Sequence, residues 1–345
     1  MPLSLTSLGV HFLPGGATFD GMPVGGFSGI DFDADSGRWV IVTDDRSSDV
    51  PARAYDATIA VSEQGFGEVT LTGTITFRQA DGSPWPTIAE PGATPDIESI
   101  RIDPANGHLW FASEGNPSLG APPELVENDA EGRFIRAWPL PERFHIADDG
   151  ASGPRPNLTV EGMGFAADGE TVWISLEGPL IQDGVLPTAE AGAPVRFIQV
   201  DRDGNELREV VYELDPLAGA SDRRRDAGVS EILAIDDERL LVLERQVTDR
   251  LFGIPDFVVR LYEATLTGAT DVRGLDTLAG AAYTPVAKRL LADLGQLGIG
   301  IVTNFEGICW GPRLANGHRS LVAIADNNQV RLLPSQLLAL EAGDL

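Results

Sequence analysis

Hydrophobic and polar positions along the chain fall into a unit that recurs. Its clearest copy runs Asn157-Leu158-Thr159-Val160-Glu161-Gly162-Met163-Gly164-Phe165, turns at Asp168-Gly169, and resumes as Thr171-Val172-Trp173-Ile174-Ser175-Leu176-Glu177. Apolar residues alternate on the first arm and run almost unbroken on the second, the pattern of a tight β-hairpin. A carboxylate opens the first arm at Glu161 and another closes the second at Glu177. The arms of an antiparallel hairpin are equal in length, so these acids are predicted side by side at its open end.

Four further copies share the same plan. Ser28-Gly29-Ile30-Asp31-Phe32 leads through Ser36-Gly37 to a strand ending at Asp44, and Glu98-Ser99-Ile100-Arg101-Ile102 leads through Asn106-Gly107 to one ending at Glu114. Glu231-Ile232-Leu233-Ala234-Ile235 leads through Asp236-Asp237 to Glu244, and Glu306-Gly307-Ile308-Cys309-Trp310 through Asn316-Gly317 to Asp326. Copies starting at 28, 98, 161, 231 and 306 give a period of about 70 residues. Three keep a 16-residue step from opening residue to closing acid. The fourth is shorter and the fifth longer, with the difference in the turn, where structural repeats tolerate it.

Between copies there is room for two more strands. Val195–Val200 and Glu206–Leu214 flank a turn at Asp201–Gly204 in the third repeat, Thr58–Ser62 and Val69–Phe77 serve the first, and Phe257–Leu266 with Val286–Leu294 the fourth. Four antiparallel strands per repeat, arranged radially, make a β-propeller blade. The fifth repeat has only Gln336–Leu340 after its hairpin, and the N-terminal run Ser4–Phe12 is predicted to supply the missing outer strand and close the ring. The expectation is an all-β, five-bladed propeller forming one domain over residues 1–345. A six-bladed count and a β-sandwich are the alternatives.

Composition narrows the function. A net charge of −27, from 52 acidic and 25 basic residues, argues against nucleic acid, which would be repelled. No window of about 20 apolar residues is long enough for a spanning helix. The single cysteine, Cys309, lies in an apolar strand and reads as a small buried hydrophobe. No secretory signal is visible at the start, which fits either a cytoplasmic chain or a trimmed leader.

In a propeller the open ends of the inner hairpins gather at one mouth of the central channel. Glu98, Glu161, Glu231 and Glu306, with Ser28, would ring the axis, and Asp44, Glu114, Glu177, Glu244 and Asp326 would lie slightly farther out. Carboxylates this crowded raise one another's pKa unless protons, arginines or cations compensate. Hard divalent cations take such oxygen ligands, and calcium tolerates irregular geometry best. Glu98, Glu161, Glu231 and Glu306 are therefore the expected metal ligands, and Asp44, Glu177, Glu244 and Asp326 the expected groups that complete the shell or orient water. The bland counterpart is a strand-end acid bonded to backbone amides of the next blade. Arg46, Arg53, Arg155, Asn157 and Arg245 lie near the same ends, where arginine forks suit an anionic, oxygen-rich substrate. Each arginine also has the simpler reading of neutralising a neighbouring acid.

Nucleophile arrangements find little support. Gly26-Phe27-Ser28-Gly29 leads into a strand where a nucleophile elbow needs a helix. His108 and His318 fall near hairpin turns, away from the acids, and His11 in the closing strand. His145, in the loop before the third repeat, is the one histidine placed to reach the mouth. No histidine pair has zinc-like spacing.

At these motifs the sequence resembles the phytase-like family, described as having esterase-like activity of phytase. The matching stretches are Gly25–Phe32, Thr43–Arg46, Pro51–Tyr55, Asp96–Ile100, Arg155–Met163, Leu176–Leu180, Val242–Arg245, Asn304–Ile308 and Asp326–Asn328, an ordered set covering nearly the whole chain. The resemblance implies a propeller-type domain, often exported to the periplasm or secreted, with hydrolase activity on phosphate or ester substrates. Ser99 and Ile232 stand where other glutamate motifs have glycine and would narrow the mouth at those blades. The function expected is thus metal-dependent hydrolysis of a small anionic phosphoester or related ester by a monomer with a bound divalent cation. Two alternatives stand beside it: a non-catalytic binding propeller with structural metal, and a lactonase-like calcium propeller.

Overall fold

The computed structural model describes residues 3–44, 50–87, 90, 92–116, 119–147, 150–218, 225–249, 255–328, 330 and 332–343. The chain is all-β, with five four-stranded antiparallel sheets in a five-bladed β-propeller arrangement. Among the described residues there is no α-helix, and so none long and apolar enough to cross a membrane. Two compact units divide it: residues 1–137 with 296–345, and residues 138–295.

The first unit holds three blades. The first blade is Phe27–Asp33, Arg38–Thr43, Arg53–Ser62 and Gly65–Thr76. The second is Ile97–Ile102, Leu109–Ser113, Glu124–Asn128 and Phe134–Pro139, whose last strand reaches the edge of the unit. The fifth is Asn304–Arg313, Arg319–Asp326 and Ser335–Gly343, completed by Ser4–Leu13. That N-terminal strand pairs antiparallel with the last one, Ser4 opposite Gly343 and Leu13 opposite Ser335, as the missing-strand argument requires. The second unit holds the third blade, Val160–Phe165, Thr171–Leu176, Pro194–Asp201 and Glu206–Glu213, and the fourth, Arg225–Asp236, Arg239–Asp249, Pro255–Thr265 and Ala287–Asp293.

The almost unbroken apolar second arm has a simple cause: it is buried on both faces. In Arg38–Thr43, Trp39 and Ile41 join Phe27, Cys309, Val322 and Leu337 in the core between the first and fifth blades. Val40 and Val42, pointing the other way, join Ile100, Phe111 and Val126 in the core towards the second. Successive side chains of a strand take opposite faces, so a two-faced core asks for apolar residues at every position. Each fully buried Val, Ile or Phe contributes roughly 1.5–3 kcal/mol. Cys309 is buried in this core as a small apolar group.

Innermost strands approach one another closely at the glycine after the opening residue. A Cβ on Gly307 would lie 2.9 Å from Gly29 Cα, and one on Gly29 would lie 3.0 Å from Ile100 N. In the second unit a Cβ on Gly162 would lie 2.7 Å from Ile232 N. Backbone cannot yield as a flexible side chain would. Gly307→Ala is therefore expected to destabilise the chain by about 1–3 kcal/mol in a denaturant titration, the usual cost of overpacking. Gly274→Ala, whose Cβ would meet nothing within 4 Å, is the matched control and should shift the midpoint little.

Candidate functional site

The ladder registers define which residues are equivalent. In every first hairpin the pairing slips once near its open end, leaving one residue of the first arm outside the ladder. That residue is Ser28 between Phe27 and Gly29, Glu98 between Ile97 and Ser99, Glu161 between Val160 and Gly162, and Glu306 between Phe305 and Gly307. A β-bulge of this kind bends the strand and re-aims the side chain it extrudes. The repeat thus carries a built-in device for turning its opening residue away from the sheet.

The fourth blade corrects the sequence alignment. Its slip lies between Val229 and Glu231, so the extruded residue is Ser230, and Glu231 pairs with Leu243. Glu231 takes the place of Gly162, and its Oε1 accepts hydrogen bonds from Met163 N and Ile232 N, both 3.0 Å. It holds neighbouring main chain, the bland role open to any strand-end acid. Counting on from Leu243 puts Glu244 level with Leu176 and Arg245 level with Glu177. The opening and closing positions of this blade are therefore serine and arginine, where the third blade has two glutamates.

In the first unit the acids form two groups. Asp44, Glu306 and Asp326 each offer an oxygen within 4.8 Å of the others. Asn304 Nδ2 donates to Glu306 Oε1 at 2.7 Å and to Asp326 Oδ2 at 3.4 Å, fixing the orientation of both carboxylates. Asp44 is anchored through its own N–H to Gly26 O, and Asn327 Oδ1 accepts from Gly26 N, tying the first and fifth blades at this point. The second group is Asp96, Glu98 and Glu114, again within 4.8 Å and all buried. Ser28, at the fifth opening position, donates its hydroxyl to Ile97 O at 2.7 Å.

In the second unit Glu161 and Glu177 are both buried and hydrogen-bonded to each other, and Arg245 Nη2 lies 2.9 Å from Glu177 Oε1. Burial pushes the Glu177 carboxyl up and nearby Asp226 adds to this, against Arg245 and the bond to Glu161. Gly228 makes room for this arrangement, because a Cβ there would fall 2.3 Å from Glu177 Cγ.

Glu244 lies on the face of its strand opposite Arg245, in a separate cluster. Its Oε1 accepts from Tyr212 Oη and from Lys288 Nζ, both at 2.6 Å. The same ammonium donates to Asp215 Oδ1 at 2.7 Å and Glu213 O at 2.8 Å, and sits 4.2 Å and 4.8 Å from the ring centroids of Tyr262 and Tyr212. Burial raises the Glu244 pKa, and Lys288 and Tyr212 oppose the rise.

The remaining residues fall on the periphery. Arg53 is buried, with Nε on Tyr55 Oη at 2.8 Å and Nη2 on Pro23 O at 3.2 Å. Arg155 donates to the carbonyls of Pro179 at 2.6 Å and Gly184 at 2.7 Å, and among the described residues makes no ion pair. Asn157 comes next in an exposed left-handed turn (φ 56°). Arg46 lies outside the described residues. His145 Nε2 bonds to Leu140 O, whereas His108 and His318 pair with Glu127 and Glu341 near their hairpin turns. Asp96 and Asn304 join the site without being expected from the hairpin pattern. A signal for them is present, since Asp96-Ile97-Glu98 and Asn304-Phe305-Glu306 share a polar–apolar–glutamate pattern.

A five-bladed, all-β chain with buried carboxylates at its hairpin ends matches one family over most of its length. The family described as "Phytase-like: Esterase-like activity of phytase" matches residues 22–329, and the chain belongs to it. No curated protein matches the sequence. Among solved structures the chain is similar to the catalytic domain of a GH62 α-L-arabinofuranosidase from Coprinopsis cinerea, with TM-score 0.44 and 11% identity over 99% of this chain and 96% of that one. It is also similar to an α-L-arabinanase from Penicillium chrysogenum, with TM-score 0.41 and 10% identity over 99% and 98% of the two chains. A DUF4221 member from Bacteroides vulgatus gives TM-score 0.42 and 7% identity over 99% of each chain.

Lys288 neutralises a carboxylate that has little access to water. Lys288→Met is expected to cost about 3–5 kcal/mol near neutral pH, the penalty for removing one partner of a buried pair. Glu244, already raised by burial, would rise further without its cation. A raised carboxyl favours the folded state below its unfolded pKa and loses that contribution as pH climbs through the folded value. The deficit of the variant should therefore shrink from about pH 7.5 to about pH 5 in denaturant titrations against the parent chain.

Proposed function

We propose that the chain hydrolyses a phosphoester or related ester with the help of a divalent cation, calcium in the first instance, held by Asp44, Glu306 and Asp326. The observation that carries this reading is the meeting of three carboxylates from two blades within 4.8 Å, oriented by Asn304. The donor set fits the ion: all ligands are hard oxygens, and the neighbouring group Asp96, Glu98 and Glu114 offers a second set of the same kind. Membership of the phytase-like family supports ester chemistry. A bound cation would offset the clustered negative charge and polarise a phosphoryl or carbonyl oxygen.

The chain's own groups supply the rest. Asn304 keeps one oxygen of Glu306 and one of Asp326 turned to the same donor, so the carboxylates present a fixed edge. In the second unit Arg245 balances Glu177. Glu231 and Glu244 stay outside this set, since main-chain amides engage the first and Tyr212 and Lys288 the second.

Calcium titration by calorimetry, with aryl phosphate, aryl ester and lactone assays before and after chelation, tests the proposal. Asp326→Asn is expected to weaken calcium binding by roughly tenfold or more and to lower chelator-sensitive phosphate-ester turnover in step. Unchanged calcium affinity in that variant would remove the Asp44–Glu306–Asp326 group from the mechanism. Tight calcium binding without turnover on any of the three substrates would leave a cation-bearing binding propeller, and lactone turnover alone would move the reaction to that class.

A further inference from the structure

The far end of the fifth hairpin, at its turn, carries the opposite charge from its acidic end. The ladder slips between Trp310 and Arg313, so Gly311 and Pro312 bulge out and Arg313 lands directly opposite Arg319. Directly opposed residues of an antiparallel pair project from the same face with Cβ atoms about 4.5–5.5 Å apart, and like charges there are destabilising. The chain has 52 acidic residues for 25 basic ones, and among the described residues ten arginines are ion-paired with carboxylates. Yet among the described residues neither Arg313 nor Arg319 makes an ion pair. Arg313 is exposed and donates to Gly317 O at 3.2 Å. Arg319 is half-buried, its guanidinium 4.1 Å from the Trp310 ring centroid.

The acid nearest in the ladder does not relieve the pair. Glu341 sits opposite Ser320, while Arg319 sits opposite Ala342, so successive alternation puts Glu341 on the other face of the sheet. There its Oε1 is taken up by His318 Nδ1 at 2.6 Å and Asn316 Nδ2 at 2.7 Å. Burial lowers the Arg319 pKa to about 10, with the charge of Arg313 acting in the same direction. The ring of Trp310 covers one face of the guanidinium but leaves its edge, where the N–H donors lie, for a ligand.

We propose that Arg313 and Arg319 form a binding site for a tetrahedral oxyanion, a phosphate or sulfate group, on the fifth blade. Two guanidinium forks on one face match such a group through paired charge-assisted hydrogen bonds. The anion converts a repulsive cross-strand pair into a bridged one, and the Trp310 face holds Arg319 in place to receive it. This site lies at the opposite end of the hairpin from Glu306 and Asp326 and does not depend on the hydrolase reading.

The test is calorimetric titration of the full chain with inorganic phosphate, sulfate and phenyl phosphate, together with thermal unfolding in each anion and in chloride at matched ionic strength. Arg313→Gln and Arg319→Met are compared with the parent. The proposal expects both variants to bind phosphate or sulfate roughly tenfold more weakly or worse, the loss of one charge-assisted contact. It also expects Arg313→Gln to unfold in chloride no lower than the parent, because a repulsion is gone, while losing the extra stabilisation that phosphate gives the parent. Such anions stabilise proteins generally, so the difference between parent and variant is the diagnostic quantity. Binding of phenyl phosphate equal to that of the free ion assigns the site to phosphate groups of esters as well, and weaker binding assigns it to the free anion. Equal anion responses in all three proteins, or an Arg313→Gln chain less stable in chloride with its anion response intact, would overturn the proposal.

Discussion

Two demands meet at one point in the first, third and fifth repeats: the innermost strand must pass within backbone contact of a neighbour, and the residue just before that contact must reach the open end of the hairpin. The extruded residue and the glycine after it satisfy them together. The slip in the ladder frees Glu98, Glu161 or Glu306 from the sheet, and the missing side chain at Gly162 or Gly307 lets the next main chain approach. The pairing of glutamate with glycine in the motif is thus a packing requirement joined to a chemical one. Core residues such as Trp39, Ile41 and Val322 then hold the blades in that relation.

In the fourth blade other residues meet the two demands. Glu231 stands at the glycine position, and its carboxylate binds main-chain amides, its own neighbour's and one from the third blade. Ser230 and Arg245 take the opening and closing places, so this blade contributes a hydroxyl and a cation where the third contributes two acids. Arg245 then faces Glu177 across the strands. Charge balance at the acidic ends is therefore built partly into the protein.

Much of this was legible in the sequence. Periodicity placed all five hairpins and the closing strand, because a strand buried on both faces must be apolar throughout and turns must be polar. Register was harder to read. The step from Glu231 to Glu244 was short, and acidic identity favoured an alignment that a one-residue slip made wrong. The apolar residue preceding each extruded position, Phe27, Ile97, Val160, Val229 or Phe305, is the more reliable marker, since the core demands an apolar side chain there whatever residue follows. The two outer strands of the second blade, Glu124–Asn128 and Phe134–Pro139, had too little alternation to be picked out. The pairing of Glu306 and Asp326 through Asn304 joins residues from two strands, which no local pattern reports.

The basic residues number 24 arginines and a single lysine, and that lysine is enclosed by Tyr212, Tyr262, Glu244, Asp215 and the Glu213 carbonyl. Acylating reagents thus meet a single side-chain amine, and it is part-buried. The rate at which Lys288 becomes acylated would therefore act as a clock for local opening between the third and fourth blades, readable by mass on the peptide that carries it.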